Sequence, residues 1–410
     1  MNSTSINGTV NSTTVPTEAS TAEPEPSVSF SGFGYDIIGF IQFSLAFCSF
    51  FGNGMAVLIF LKHKQLRSPT NTFIMNLIFC DMLMGMVAFI SASAAFNHGW
   101  VFGHNVCVFE GFMVYFLGLA SMYLLASIAL DRYVVISKPL SASKITQNVA
   151  LLCTGVCWVL GFLWAIFPIL GWNEYTVEGI GISCSVIWQS DDPFYSSYII
   201  TIFFSCLVIP VCLMSFSYYH VYMAVRNVSR NSVWDTKSRV ARKKLKVEKK
   251  MLKTCVAMVS IFLLSWLPYT VVSFISAFGD PTLISPLMAT IPALVAKSAG
   301  LWNPLIYVAT NKQFRYGFYA IIPCKGIKDS LVKKEEKQPE SSEESDLDDE
   351  DDKKNTKKEK KDEKPGTSGR PKGNAVAPAP EEDSGNEPTV IEDVSHMDEA
   401  DVELKDIKKK

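Results

Sequence analysis

The sequence predicts an all-α membrane protein: a bundle of seven spanning helices, a short amphipathic eighth helix, and disordered termini. Three observations carry this prediction. Seven apolar segments are each long enough to cross a bilayer, at about 37–61, 72–95, 108–135, 149–170, 194–223, 251–278 and 285–310. The connections between them alternate in charge. The last segment carries a single lysine, Lys297, near its middle, with no other Lys or Arg between Lys253 and Lys312. Hydrophobic residues make up 48% of the chain and charged residues 19%, which fits a membrane body with a soluble appendage.

Residues 1–36 form the first region. They hold no Lys or Arg, are rich in Ser, Thr and Pro, and include Glu18, Glu23, Glu25 and Asp36. That composition cannot bury a core, so a disordered arm is expected. Three sequons begin at Asn2, Asn7 and Asn11, and together they favour a lumenal or extracellular glycosylated arm. With no basic n-region and no early apolar stretch, the first spanning helix is expected to act as the signal.

Residues 37–310 are read as the seven-helix bundle. Lys62, Lys64 and Arg67 follow the first segment, Lys138 and Lys144 the third, and a run from Arg226 to Lys246 the fifth. The loops after the second, fourth and sixth segments contain no Lys or Arg. By the positive-inside bias this multi-pass protein of the cell membrane has its N-terminus extracellular and its C-terminus cytoplasmic. A lone apolar segment reads equally well as a core helix; seven with alternating charge do not.

Seven of the ten cysteines fall within apolar segments, where a thiol is usually small packing. Cys107 and Cys184 alone lie at the outer face, and an oxidising compartment makes them a disulfide pair. Residues 311–324 start an amphipathic stretch at the membrane surface, ending at Cys324, a palmitoylation candidate beside the bland reading of a surface thiol. Residues 325–410 are mixed runs of Lys, Glu, Asp, Ser and Pro, expected to be a disordered charged cytoplasmic tail. The five histidines are scattered, with no metal spacing and no nucleophile–base pair, so neither metal nor hydrolytic enzyme chemistry is expected. The basic run after the fifth segment is explained by topology, and no nucleic-acid partner is expected.

Lys297 is the sharpest chemical signal. A lysine at bilayer depth costs roughly 2.5–3.5 kcal/mol on insertion scales and marks a functional site by default. Desolvation favours the free amine, which condenses with an aldehyde to a Schiff base. The bland alternative is a lysine paired with a buried carboxylate that only ties helices together. Trp266 and Tyr269 share a face of the sixth segment, and Pro268 between them permits a kink.

Further motifs mark each segment: Asn53 between two glycines, Asp81, Asp131-Arg132-Tyr133, Trp158, Pro210 with Tyr218, Trp266-Leu-Pro268-Tyr269, and Asn303-Pro304-x-x-Tyr307. This ordered set, over about residues 37–324, resembles the rhodopsin-like G-protein-coupled receptors. Lys297, six residues before Asn303, narrows the resemblance to the opsins, light receptors that carry retinal on that lysine. Glu110, three residues after Cys107, matches the counterion of vertebrate visual opsins. Glu178, six residues before Cys184, matches the outer-loop glutamate that other opsins use. Asn311-Lys312-Gln313 resembles the ciliary type. The chain departs from many visual opsins in having Asp131 rather than Glu, one cysteine at Cys324 rather than two, and a long charged tail.

The resemblance implies a light-activated receptor with retinal bound covalently as a protonated Schiff base on Lys297, 11-cis in the dark. It implies a pocket including Glu110, Glu178, Trp266, Tyr269 and Gly118, the glycine leaving room for a flat polyene. A carboxylate at about 4 Å, at an effective dielectric near 20, contributes roughly 4 kcal/mol to holding the proton. The implied switch is Arg132 with Asp131 and, across the gap, Glu248. Opening it frees the sixth helix and exposes Tyr218 and Tyr307 to a heterotrimeric G protein of the inhibitory or transducin class. Receptor kinase and arrestin are further implied partners. Two alternatives stand beside this reading. A retinal photoisomerase uses the same lysine without signalling; Asp131-Arg132-Tyr133 and Asn303-Pro304-x-x-Tyr307 argue against it. A receptor for a diffusible ligand, with Lys297 incidental, is separated by absorbance after adding retinal.

Overall fold

The computed structural model describes residues 30–63, 66, 68–231, 238–310, 312–321 and 325–336. Asn2, Asn7, Asn11, Asn311, Cys324 and the tail beyond 336 lie outside them. The main helices are α1 (Gly32–Lys62), α2 (Pro69–Phe96), α3 (Gly103–Ser137), the single turn α4 (Pro139–Ala142) and α5 (Gln147–Ile166). A hairpin of β1 (Tyr175–Glu178) and β2 (Ser183–Val186) follows, then α6 (Pro193–Ile202), α7 (Ile209–Asn231) and α8 (Ser238–Phe278). The chain continues as α9 (Pro286–Lys297), α10 (Ala299–Thr310), α11 (Lys312–Ile321) and α12 (Lys325–Glu336).

Hydroxyl and carboxylate caps start the helices where the spacing of apolar residues begins. Ser31, Ser68, Thr146, Asp192 and Ser285 each accept from a backbone N–H in the first turn of α1, α2, α5, α6 and α9. Pro69, Pro193 and Pro286 sit just inside three of these starts, where the missing N–H costs nothing. Along α1, Phe40, Phe43, Phe47 and Phe51 are exposed while Ala46, Asn53 and Ala56 are buried. Large aromatic rings outside and small or polar residues inside is the arrangement of a helix facing lipid. Among the described residues six helical stretches are long and apolar enough to span a membrane, and the protein is a multi-pass membrane protein.

The fifth span is interrupted by a π-helical turn at Phe203–Val208. Pro210 follows it and has no N–H to give to the preceding turn. Ser205 O instead accepts from Tyr123 OH on α3 at 3.2 Å. The seventh segment departs from the expected single helix. It is two 12-residue helices, broken after Lys297 at Ser298. Pro304 frees the carbonyl of Gly300 four residues back, and Asn53 Nδ2 on α1 donates to that oxygen at 2.8 Å. A polar asparagine in the first span is thereby explained by a proline in the seventh.

α8 begins at Ser238, well before the apolar onset at Met251, because a helix need not stop where the bilayer does. A second departure lies past residue 324. The composition there reads as disordered, yet α12 is helical. Its sequence places Asp329 four residues before Lys333 and Ile327 four before Leu331, spacings that support a helix locally.

α3 runs through the middle of the bundle, packed against α2, α5, α7 and α8 and against both strands. The main core spans Ile74, Leu77 and Ile78 of α2, Leu117, Leu124, Leu125 and Ile128 of α3, Met258 and Phe262 of α8, and Tyr307 of α10. The hairpin lies over the end of this bundle at which α3 begins. Gly179 and Gly181 take positive φ, 61° and 82°, to make its turn. Ile180 N in that turn donates to Thr290 Oγ1 of α9 at 3.0 Å.

Candidate functional site

Lys297 ends α9 and points into the bundle, its side chain only 9% exposed. Its Nζ donates to Glu110 Oε1 at 3.1 Å and to Ser91 Oγ at 2.9 Å. Glu110, two turns into α3, is fully buried. Oε1 also accepts from Ser91 Oγ at 2.7 Å, and Oε2 accepts from Cys184 N at 2.8 Å. Both carboxylate oxygens are therefore hydrogen-bonded, which lets a charge stay buried. The Cys107–Cys184 disulfide, with Cα atoms 5.5 Å apart, ties β2 to α3 and brings that N–H to the carboxylate. Ser91 was not singled out by the sequence. A serine among apolar residues looks like packing, and only the α2–α3–α9 arrangement shows its partners.

Lys297 forms part of the wall of a cavity of about 570 Å³, bounded also by Gly118, Glu178, Trp266 and Tyr269. Most of the remaining lining is apolar, from α3, the fifth span and α8. The structure places five of the six residues expected at the pocket in this wall and joins the sixth, Glu110, to Lys297, but two roles differ in detail. A Cβ on Gly118 would meet Trp266 Cη2 at 3.1 Å, so the glycine first makes room for that indole. Glu178 has no direct hydrogen bond to Lys297. It accepts from Tyr269 OH at 3.1 Å and from Ser183 Oγ at 3.3 Å. Burial pushes the Glu178 carboxyl up, only partly offset by the positive charge of Lys297. Tyr269 OH further shares a hydrogen bond with Ser185 Oγ at 2.8 Å.

A second polar cluster lies at the opposite end of α3. Arg132 Nε and Nη2 donate to Asp131 Oδ2 at 3.1 and 2.7 Å, and Nη1 donates to Glu248 Oε2 on α8 at 2.8 Å. Nη2 also donates to Thr70 Oγ1 of α2. Thr70, like Ser91, carried no signal in the sequence. The Tyr133 ring packs 5.6 Å from both Phe216 and His220, with Lys138 Nζ 5.2 Å from its centroid. Between the two clusters, Asn303 Nδ2 donates to Asp81 Oδ2 at 2.6 Å, and Trp158 Nε1 to Asn76 Oδ1 at 3.0 Å. Tyr307 is buried against Phe60 and Phe314, at 5.8 and 5.5 Å. The hydroxyls of Tyr218 and Tyr307 are buried without a hydrogen-bond partner among the described residues.

These features define a helical membrane receptor fold around a buried lysine–carboxylate pair whose lysine faces an apolar cavity. Residues 52–307 match the family model described as 7 transmembrane receptor (rhodopsin family). Pinopsin of Columba livia is 34% identical over 273 residues, covering 66% of this chain and 76% of the relative. Visual pigment-like receptor peropsin of Homo sapiens is 32% identical over 309 residues, 75% of this chain and 90% of the relative. Parapinopsin of Ictalurus punctatus is 35% identical over 298 residues, 71% and 82% respectively. The crystal structure of squid rhodopsin superposes with a TM-score of 0.68 at 31% identity, covering 72% of this chain and 87% of that one. The chain belongs to the rhodopsin family of seven-transmembrane receptors and, within it, to the opsins.

Proposed function

We propose that this opsin is a light-activated receptor that holds retinal covalently on Lys297 as a protonated Schiff base, 11-cis in the dark, and signals to a heterotrimeric G protein. One observation carries the reading: the only lysine among the described residues in the wall of the cavity stands 3.1 Å from a buried carboxylate, Glu110. Retinal, when bound, supplies an aldehyde for Lys297 and a polyene whose shape light changes. An apolar cavity of about 570 Å³ with one amine anchor, itself paired to a buried carboxylate, suits such a molecule.

Glu110 balances the positive charge on the Lys297 nitrogen, and Ser91 and the Cys184 N–H keep that carboxylate in place. Glu178, held by Tyr269 and Ser183, is the second acid at the pocket. Trp266 and Tyr269 on α8 form the wall through which a change of shape in the cavity reaches that helix. Packed cores are bistable rather than freely deformable, so the strain resolves as a helix movement. Arg132, held by Asp131 on α3, and Glu248 on α8 form the pair that opens, letting α8 swing out. Tyr133, Tyr218, Tyr307 and the Asn303-Pro304 pair within α10 then serve the G-protein-facing state.

Transducin or another inhibitory-class G protein is the favoured partner, with receptor kinase and arrestin as further partners. The N-terminus is extracellular, glycosylated at Asn2, Asn7 and Asn11, and the C-terminus is cytoplasmic, with palmitoylation at Cys324. The four regions divide as 1–36, 37–310, 311–324 and 325–410.

The test is to express the full chain, add 11-cis-retinal, and record spectra and G-protein nucleotide exchange before and after light. A visible band that light alters, with light-dependent exchange, is expected. Absence of a visible band overturns the retinal reading. A band without exchange on any G protein overturns the signalling reading and leaves a photoisomerase.

A further inference from the structure

The first turn of α2 is built as a fixed post at the Arg132 end of the bundle. Ser68 Oγ accepts from Asn71 N at 3.2 Å, and Asn71 Nδ2 donates to Leu66 O at 2.8 Å. Gln147 Nε2 of α5 donates to Thr72 Oγ1 at 2.5 Å. Thr72 itself donates its hydroxyl back to Ser68 O, the ordinary use of a threonine near a helix start. Thr70 does something else. Its Oγ1 donates to Asp131 Oδ2 at 2.7 Å and accepts from Arg132 Nη2. Thr70, Asp131 and Arg132 are 6%, 5% and 3% exposed, so no water competes strongly for these groups.

Asp131 sits on the same helix as Arg132 and moves with it. It cannot by itself fix the guanidinium relative to the rest of the bundle. The Thr70 hydroxyl comes from another helix, and a planar guanidinium with its donors in a rigid fork is oriented by the acceptors it meets. Holding Nη2 toward α2 leaves Nη1 directed at Glu248 on α8. Glu248 is the most exposed member, its side chain at 25% exposure, and so the partner most readily lost.

We propose that Thr70 is a positioning residue of the resting receptor: its hydroxyl, between Asp131 and Arg132, orients the guanidinium for Glu248 and so suppresses signalling without light. This rests on the reading of Arg132 and Glu248 as the switch. Being neutral, the hydroxyl restrains the arginine without adding a charge that would have to be neutralised when the pair opens.

The experiment compares Thr70→Val, Thr70→Ser, Thr70→Ala, Glu248→Gln and the Thr70→Val/Glu248→Gln double variant in the full-length, retinal-loaded protein. Nucleotide exchange on the G protein is read in the dark and in light, beside the dark absorption spectrum. Spin labels on α3 and α8 report their separation in the retinal-free protein. Thr70→Val should raise dark exchange by about tenfold or more, the scale of one hydrogen bond to a charged group. It should lengthen the α3–α8 distance and leave the spectrum unchanged. Thr70→Ser should restore parent behaviour, and the double variant should add little to Glu248→Gln. If Thr70→Val does not fold, Thr70→Ala is expected to give the same rise. Parent-level dark exchange in the threonine variants while Glu248→Gln is raised overturns the role of Thr70 and leaves the switch standing. No rise in any variant overturns the switch and this role together. A rise that Thr70→Ser does not reverse, or full additivity in the double variant, shows packing alone and also overturns it.

Discussion

Cys184 N donates to Glu110 Oε2 at 2.8 Å, so the disulfide that anchors the hairpin also completes the hydrogen bonding of the buried acid beside Lys297. Cys107 and Cys184 thus serve the pocket as well as the loop. Cys184→Ser or Cys107→Ser should lower the yield of retinal-loaded protein. Whatever pigment forms should bleach faster in hydroxylamine, because the hairpin no longer holds its N–H on Glu110. Labelling of both cysteines as free thiols in stable parent protein would remove this assignment.

Lys297→Ala should abolish covalent retinal binding, since no other lysine among the described residues borders the cavity. The substitution also leaves Glu110 buried without its cation. Breaking a buried pair from one side costs roughly 3–5 kcal/mol. The retinal-free Lys297→Ala protein should therefore melt at lower temperature than the parent, and Lys297→Ala/Glu110→Gln should recover most of the loss. Thermal unfolding in detergent is the measurement.

Glu110→Gln removes the carboxylate nearest the nitrogen with little change of shape. Losing roughly 4 kcal/mol of charge stabilisation shifts the protonation equilibrium about a thousandfold. The pigment should lose its visible band near neutral pH, and added chloride should restore part of it. Glu178→Gln should change the dark spectrum less, because its acid is engaged by Tyr269 and Ser183 rather than by Lys297. Spectral pH titrations of both variants decide, and the reverse outcome would exchange the two roles.

Ser91→Ala should shift the absorption maximum and the pH at which the visible band is lost, because Ser91 touches both Lys297 and Glu110. Ser91→Thr, which retains the hydroxyl, should stay near the parent. An alanine variant identical to the parent in both readings would reduce Ser91 to packing.

Burial raises the Glu178 carboxyl above its usual 4.5. Above that usual value and up to its folded one, the folded protein holds a proton that the unfolded chain has released. Stability therefore falls as pH rises through this window. Glu178→Gln, which cannot ionise, should gain thermal stability relative to the parent as pH is raised from about 4.5. A constant difference in melting temperature across that range would contradict it.

Much of this receptor was legible along the chain because the bilayer imposes a local rule. Each span must be apolar over a fixed length, so hydropathy, loop charge and the prolines of the spans are read one segment at a time. Lys297 stood out for the same reason, as a charge where the solvent forbids one. The pairing of Cys107 with Cys184 followed from which side of the membrane each occupies. The break at Ser298, the indole that fills the space beside Gly118, and the partners of Ser91 and Thr70 were decided only by the packed bundle. Lys297 and Ser91 are 206 residues apart in sequence, and Thr70 and Arg132 are 62 apart. A serine or threonine looks the same in a sequence whether its hydroxyl returns to its own helix or reaches across to a charge. Only the crossing of α2, α3 and α9 determines which, because a hydrogen bond depends on distances of a few ångströms that no single helix contains.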